Sequence, residues 1–235
     1  MSSMNGKNYW LIPLLFTIIF SGIGFIVWSY VRIFTLSVNG STYYLLPPNY
    51  LTWYNAANGP FSSIFLANFI WDGWGNFQVL IVYTVVFGIV DINNPQRSSR
   101  AGFLVLGSLL SAFVATAVGR IVLSANTIAY GQSAVAAGFA GIVIFYVMLN
   151  MSDRESRQRI FSNTIEGVGS IFAITIGVSF LSLFFVEPEP IATVYVHMTA
   201  LVTGIILAVA FSFVTRSSLK KKKTAILIPA SKVKA

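Results

Sequence analysis

Long stretches of this chain carry no charged residue, and their lengths match a bilayer crossing. Tyr9 to Val31 ends at Arg32, Gly73 to Val90 lies between Asp72 and Asp91, and Ala101 to Gly119 lies between Arg100 and Arg120. Ile121 to Ser152 is longer and is broken by the polar turn around Asn126, Gly131 and Gln132, which places its helix at about Ser133–Met151. Gly167 to Val186 lies between Glu166 and Glu187, and Ile191 to Thr215 holds only His197. A spanning helix needs about 20 predominantly apolar residues. The pattern therefore predicts an all-α membrane protein with six transmembrane helices. Composition agrees: charged residues are 9% of 235 and hydrophobic residues 56%, where a soluble domain is about 25% charged. A soluble surface cannot be covered with so few charges.

The absence of cysteine excludes disulfides, thiolate metal sites and a cysteine nucleophile, and a single His excludes a multi-His zinc site. No metal or organic cofactor is implied. The first apolar run is longer than that of a signal peptide and no small-x-small cleavage site follows it.

Lys and Arg in the connections set the orientation. All of them except Arg32 and Arg120 fall on one side: Lys7, Arg97, Arg100, Arg154, Arg157, Arg159, Arg216, Lys220 to Lys223, Lys232 and Lys234. Both termini are thus expected in the cytoplasm of a multi-pass protein, with the cell membrane as the expected location. Residues 1–8 form a short tail, 9–215 the membrane domain, and 216–235 a basic tail suited to an anionic inner leaflet, where each Lys near the surface adds about 1 kcal/mol. Nucleic acid is not an expected partner. The outer connection, about residues 33–71, has no charge and is rich in Tyr and Trp, which prefer the headgroup level. It is expected to pack on or partly in the outer leaflet. Asn39-Gly40-Ser41 matches an N-glycosylation acceptor.

Polar groups inside spans are costly and mark candidate sites. Spans two, four and six all begin on the outer side, and near those starts lie Asp72 and Asn76, Ser133, and His197. His197 is about 9 Å down its helix at 1.5 Å per residue. The helices that carry Ser133 and His197 are also built to approach each other. Ala134/Gly138 and Ala137/Gly141 are small-x-x-x-small pairs, and Ala200, Gly204 and Ala208 form a matching ridge. A serine hydroxyl needs an adjacent base to act as a nucleophile, and His197 is the sole imidazole. The chemistry open to this pair is acyl transfer, with the Ser133 backbone N–H at a helix start and the Asn76 amide as oxyanion donors. The ordinary alternatives are packing for Ser133, a carbonyl-bonded His197, an interhelical Asn76 and an N-cap for Asp72. A transporter or channel would need more buried ionisable groups along a path, and the span interiors away from the outer site hold none.

These residues resemble the rhomboid intramembrane serine proteases. The family's serine motif, G-x-S-G with further glycines five and eight after the Ser, is similar to Gly131-Gln132-Ser133-Ala134 with Gly138 and Gly141. Its H-x-x-G-x-x-x-G motif resembles His197…Ala200…Gly204, and its H-x-x-x-N motif resembles Asp72…Asn76. Phe87-Gly88 and Asp91 resemble the F-G…E ending of the same helix. The resemblance implies a six-helix rhomboid-like bundle and a Ser133–His197 dyad that cleaves single-span membrane proteins near the outer face, after lateral entry from lipid. Three residues depart from the pattern. Ala134 replaces a Gly after the nucleophile, Ala137 stands where an aromatic ring is common, and Asp72 replaces a His. A carboxylate at Asp72 opposes negative charge on an oxyanion unless it is protonated or turned away. The alternative is a catalytically inactive rhomboid-like pseudoprotease that binds membrane helices.

Overall fold

The computed structural model describes residues 8–33, 35–38, 41–44, 53–54, 63–69, 73–92, 94, 96–122, 128–129, 132–162, 167–168, 171–172, 174–175, 178–179 and 191–226. Its helices are α1 (Leu11–Ile33), α2 (Ser63–Leu66) running into a 3-10 turn (Ala67–Phe69), α3 (Trp74–Val90), α4 (Arg97–Val122), α5 (Ser133–Ser152), α6 (Arg154–Ser162) and α7 (Ile191–Ile226). Among the described residues, three helical segments are long and apolar enough to cross a membrane: Arg97–Val122, Ser133–Ser152 and Val194–Thr215. Leu11–Val27 and Trp74–Val90 are shorter apolar helices. The chain is an integral membrane protein of helical class. Large apolar side chains face outward along it, among them Leu106, Ile206 and Phe213 at 60–70% exposure, as a lipid-facing surface requires. The expected span Gly167–Val186 lies largely outside the described residues.

Helix α5 is the centre of the bundle and packs against α3, α4 and α7. Its first half is rich in small residues: Ala134, Ala136, Ala137, Gly138, Ala140 and Gly141 are buried. Small side chains let backbones come close, which is the main source of helix association where lipid removes the hydrophobic drive. The register shows the direction of each neighbour. Ser111 of α4 lies against Gly138 and Gly107 lies against Ile142, so the numbering runs in opposite senses and α4 is antiparallel to α5. Phe103 of α4 stacks on Phe211 at 4.2 Å, and Thr215 Oγ1 donates to Gln96 Oε1 at 3.5 Å, so α7 is also antiparallel to α4. Helices α5 and α7 therefore run parallel. Phe87 meets Tyr146 at 6.2 Å between ring centroids, and Asn150 Nδ2 donates to Val90 O at 3.0 Å, which makes α3 parallel to α5.

The end of the bundle where α3 and α5 finish holds a buried polar knot. Arg100 Nη1 donates to Asp91 Oδ1 at 2.6 Å and to Asn150 Oδ1 at 3.2 Å, while Asn150 Nδ2 reaches Asp91 Oδ1 at 3.2 Å. The guanidinium also lies 4.6 Å from the centroid of the Tyr146 ring. Asp91 is outside the spanning segments, and burial pushes its carboxyl up against the opposing pull of Arg100. Tyr9, ahead of α1, donates to Gly88 O at 2.6 Å at this same end, so α1 is antiparallel to α3.

The connections at the other end are not purely irregular, as a wholly helical reading would have them. Thr35–Val38 (β1) pairs antiparallel with Ser41–Tyr44 (β2), and Trp53–Tyr54 (β3) with Ile128–Ala129 (β4). The second ladder ties the aromatic connection to the segment just ahead of α5. The 3-10 turn is fixed to α4: Asn68 Nδ2 donates to Thr116 Oγ1 at 3.4 Å, and Thr116 Oγ1 donates to Ile64 O at 3.0 Å. This part of the connection packs on protein. Helix α7 continues past Thr215 to Ile226, so the basic tail begins as an extension of the last helix.

Candidate functional site

Ser133 is the first residue of α5 and is partly exposed, while His197 lies in the second turn of α7 and is buried. The contact between their helices is as close as backbones allow. A Cβ on Gly204 would run into the carbonyl oxygen of Gly138, and a Cβ on Gly141 into that of Leu201. The ridges read from the sequence, Gly138/Gly141 and Ala200/Gly204, thus meet, with Ala200 fully buried beside them.

This contact sets the relative height of the two polar residues. Measured from its midpoint, Ser133 is about 10 Å and His197 about 8 Å along the helix in the same direction, at 1.5 Å per residue. A second route goes through α4. Gly107 lies against Ile142 and Phe103 stacks on Phe211; counting one turn on from Gly107 and Ile142 along the antiparallel pair brings Phe103 level with Tyr146. Counting back equally along the parallel helices brings Ser133 opposite Met198. The two routes agree to within about one turn of 5.4 Å. His197 also lies on the stripe of α7 that includes Leu201 and Gly204 and faces α5. Ser133 is turned roughly 80° from Gly141 and roughly 140° from Gly138 at 100° per residue, so it stands on the flank of α5 beside the facing stripe and not within it.

Asn76 lies in the first turn of α3 and is partly buried. The pairings Phe87–Tyr146 and Val90–Asn150 place it opposite Ala136, about 4 Å inward of Ser133. The starts of α3, α5 and α7 thus bring Asn76, Ser133 and His197 to one end of the bundle. Asp72 lies outside the described residues. The N-cap of α3 is Gly73 at φ 150°, a backbone conformation that favours glycine. Among the described residues no three His, Asp or Glu side chains gather to hold a metal.

The start of α5 has one feature with no sequence signature. Gln132 occupies the N-cap, yet its side chain makes no capping hydrogen bond. Its amide instead crosses to α1, where Nε2 donates to Phe20 O at 2.8 Å, and the residue is completely buried. The partner is a main-chain carbonyl 112 residues away, a group that every residue offers. The Asp91–Arg100–Asn150 knot also escaped a sequence reading. Arg97 and Arg100 register there only as positive charges flanking a span.

No family model matches the chain, and comparisons with curated proteins and with solved structures find no significant relative.

Proposed function

We infer that the protein is a rhomboid-like intramembrane serine protease, built as a six-span bundle with both termini in the cytoplasm. The observation that carries this reading is the shared height of Ser133 and His197 on two parallel helices in close backbone contact. The parallel course of α5 and α7 supports the span count, because the connection between them has to cover the height of the bundle.

In this reading Ser133 Oγ attacks the carbonyl carbon of a substrate peptide bond while His197 accepts its proton. The tetrahedral oxyanion is held by the Ser133 backbone N–H, at a helix start whose N-cap side chain is turned away, and by the Asn76 amide. His197 then gives the proton to the departing amine as the C–N bond breaks. Water, activated by the same imidazole, releases the acyl group and restores Ser133. Substrates are single-span membrane proteins that enter from lipid, and the basic residues 216–235 face an anionic inner leaflet. A second reading, an inactive relative that binds membrane helices, draws on Ala134 and Ala137. Both are buried in α5, where the resembling family carries a Gly and often an aromatic ring.

A fluorophosphonate probe separates the two. The purified protein in detergent is expected to be labelled, Ser133→Ala to be blank, and His197→Ala to label at least about a hundredfold more slowly, in keeping with the contribution of a general base. An unlabelled parent, in detergent where a known rhomboid protease reacts, would favour the inactive relative.

A further inference from the structure

We propose that Gln132 and Gly24 form a positioning device for Ser133, a side-chain tether that fixes the first turn of α5 to α1. The proposal rests on the reading of Ser133 as nucleophile. Gln132 precedes Ser133 directly, and its backbone carbonyl accepts the first hydrogen bond of α5, from Ala136 N at 3.0 Å. Its side chain ties that turn to α1: Nε2 donates to Phe20 O at 2.8 Å.

The slot for this amide exists because residue 24 has no side chain. A Cβ on Gly24 would collide with Gln132 Nε2 and would lie 2.8 Å from both Gln132 Cδ and Phe69 O. The α1 face around the slot is polar where a span is ordinarily apolar: Thr17 and Ser21 are buried on the same stripe as Phe20 and Gly24. An N-cap side chain ordinarily stabilises its own helix by about 1 kcal/mol. Here the amide is used on another helix, which leaves the backbone donors of the first turn uncapped while holding that turn in place. A turn released from α1 shifts Ser133 relative to His197, and misplacement of about 1 Å can cost a hundredfold in rate. Such a shift lowers reactivity without changing how a substrate docks on the rest of the bundle.

The test uses the full-length protein in detergent, with the rate constant of fluorophosphonate labelling at Ser133, the KM and kcat for a single-span substrate, and the melting midpoint. Gln132→Met keeps the length and volume but removes the donor. Gln132→Asn keeps the amide but shortens the reach, and Gly24→Ala fills the slot. Gln132→Met is expected to slow labelling roughly ten- to a hundredfold, to lower kcat with KM nearly unchanged, and to leave the melting midpoint close to the parent's. Gly24→Ala is expected to slow labelling at least as much and also to lower the midpoint, because its Cβ meets the backbone oxygen of Phe69 as well as the amide. The double variant is expected to be no slower than the worse single one, because both changes break the same tether. Gln132→Asn is expected to fall between parent and Gln132→Met. Labelling of Gln132→Met within twofold of the parent overturns the tether while leaving the nucleophile reading intact. Additive losses in the double variant, or rates that merely follow the melting midpoint across all variants, overturn it as well. A parent that is not labelled at all overturns the nucleophile reading, and the tether's role with it.

Discussion

Gly204→Ala is expected to lower the melting midpoint of the detergent-solubilised protein sharply, and Gly204→Val to leave little folded protein. The reason lies in what surrounds the position. The nearest atoms to a new Cβ are the carbonyl oxygen of Gly138, then its carbonyl carbon at 3.2 Å and its Cα at 3.3 Å. All belong to backbone, so no rotamer change relieves the clash and the two helices must move apart. Overpacking of a core ordinarily costs about 1–3 kcal/mol, and an interface whose contact is the backbone itself stands at the upper end of that range. Gly102 of α4 is the control, because a Cβ there meets nothing within 4 Å. Gly102→Ala is expected to hold or raise the midpoint, by up to about 1 kcal/mol of helix propensity. Equal midpoints for Gly204→Ala and the parent would contradict the close packing of α5 on α7.

The second large effect is expected at the opposite end of the bundle. Arg100→Met removes the cation from the Asp91–Asn150 knot and leaves a buried carboxylate with no countercharge, held only by neutral donors such as Asn150, a loss of about 3–5 kcal/mol. Its pH dependence has a definite sign. Burial already pushes the Asp91 carboxyl above its ordinary value of 3.8 while Arg100 pulls it down. Without Arg100 the upward push of burial is opposed only by the hydrogen bonds from Asn150 and Asn94, so the carboxyl moves further up. The folded state then holds the proton more tightly than the unfolded chain does, so stability is greatest at low pH and falls as pH rises through the raised folded value. Lowering the pH from neutral is therefore expected to raise the midpoint of Arg100→Met by more than that of the parent. In the double variant Asp91→Asn/Arg100→Met this extra pH response should vanish and much of the stability return, since neither charge remains buried. A single variant whose deficit is the same at every pH would show that the carboxylate is not the source of the loss.

Much of the architecture was legible because lipid imposes a simple rule on sequence. The runs around Ala101 to Gly119, Ser133 to Met151 and Ile191 to Thr215 could be found from charge alone, since a charge at the bilayer centre is so costly. The small residues at Gly138, Gly141 and Gly204 likewise announced a close helix contact before any partner was known. What could not be read were contacts whose partners carry no distinguishing side chain or sit far apart in sequence. The Gln132 tether ends on the carbonyl of Phe20. The Asp91 knot gathers residues from three elements, and only the fold brings Asn150 to Arg100. The paired strands Trp53–Tyr54 and Ile128–Ala129 are too short for an alternating pattern to show. Of the candidate site, the residue types and the helices that carry them can be read from the sequence, whereas the angles between them cannot. The stagger between Ser133 and the α7-facing stripe depends on where α5 begins, which the turn around Gly131 and Gln132 left open.

Helix α7 is longer than the membrane it enters. Its 36 residues extend about 54 Å at 1.5 Å per residue, against about 40–45 Å for a bilayer with both headgroup layers. The last turns must therefore stand in water. A free helix of that length would be marginal there, because the first turn is the hard one to form. Here it is already formed inside the bilayer, and the aqueous turns merely continue it. Lys220 to Lys223 are four successive residues of this helix. The four lysines thus belong to a continuation of the same helix that carries His197 near its start.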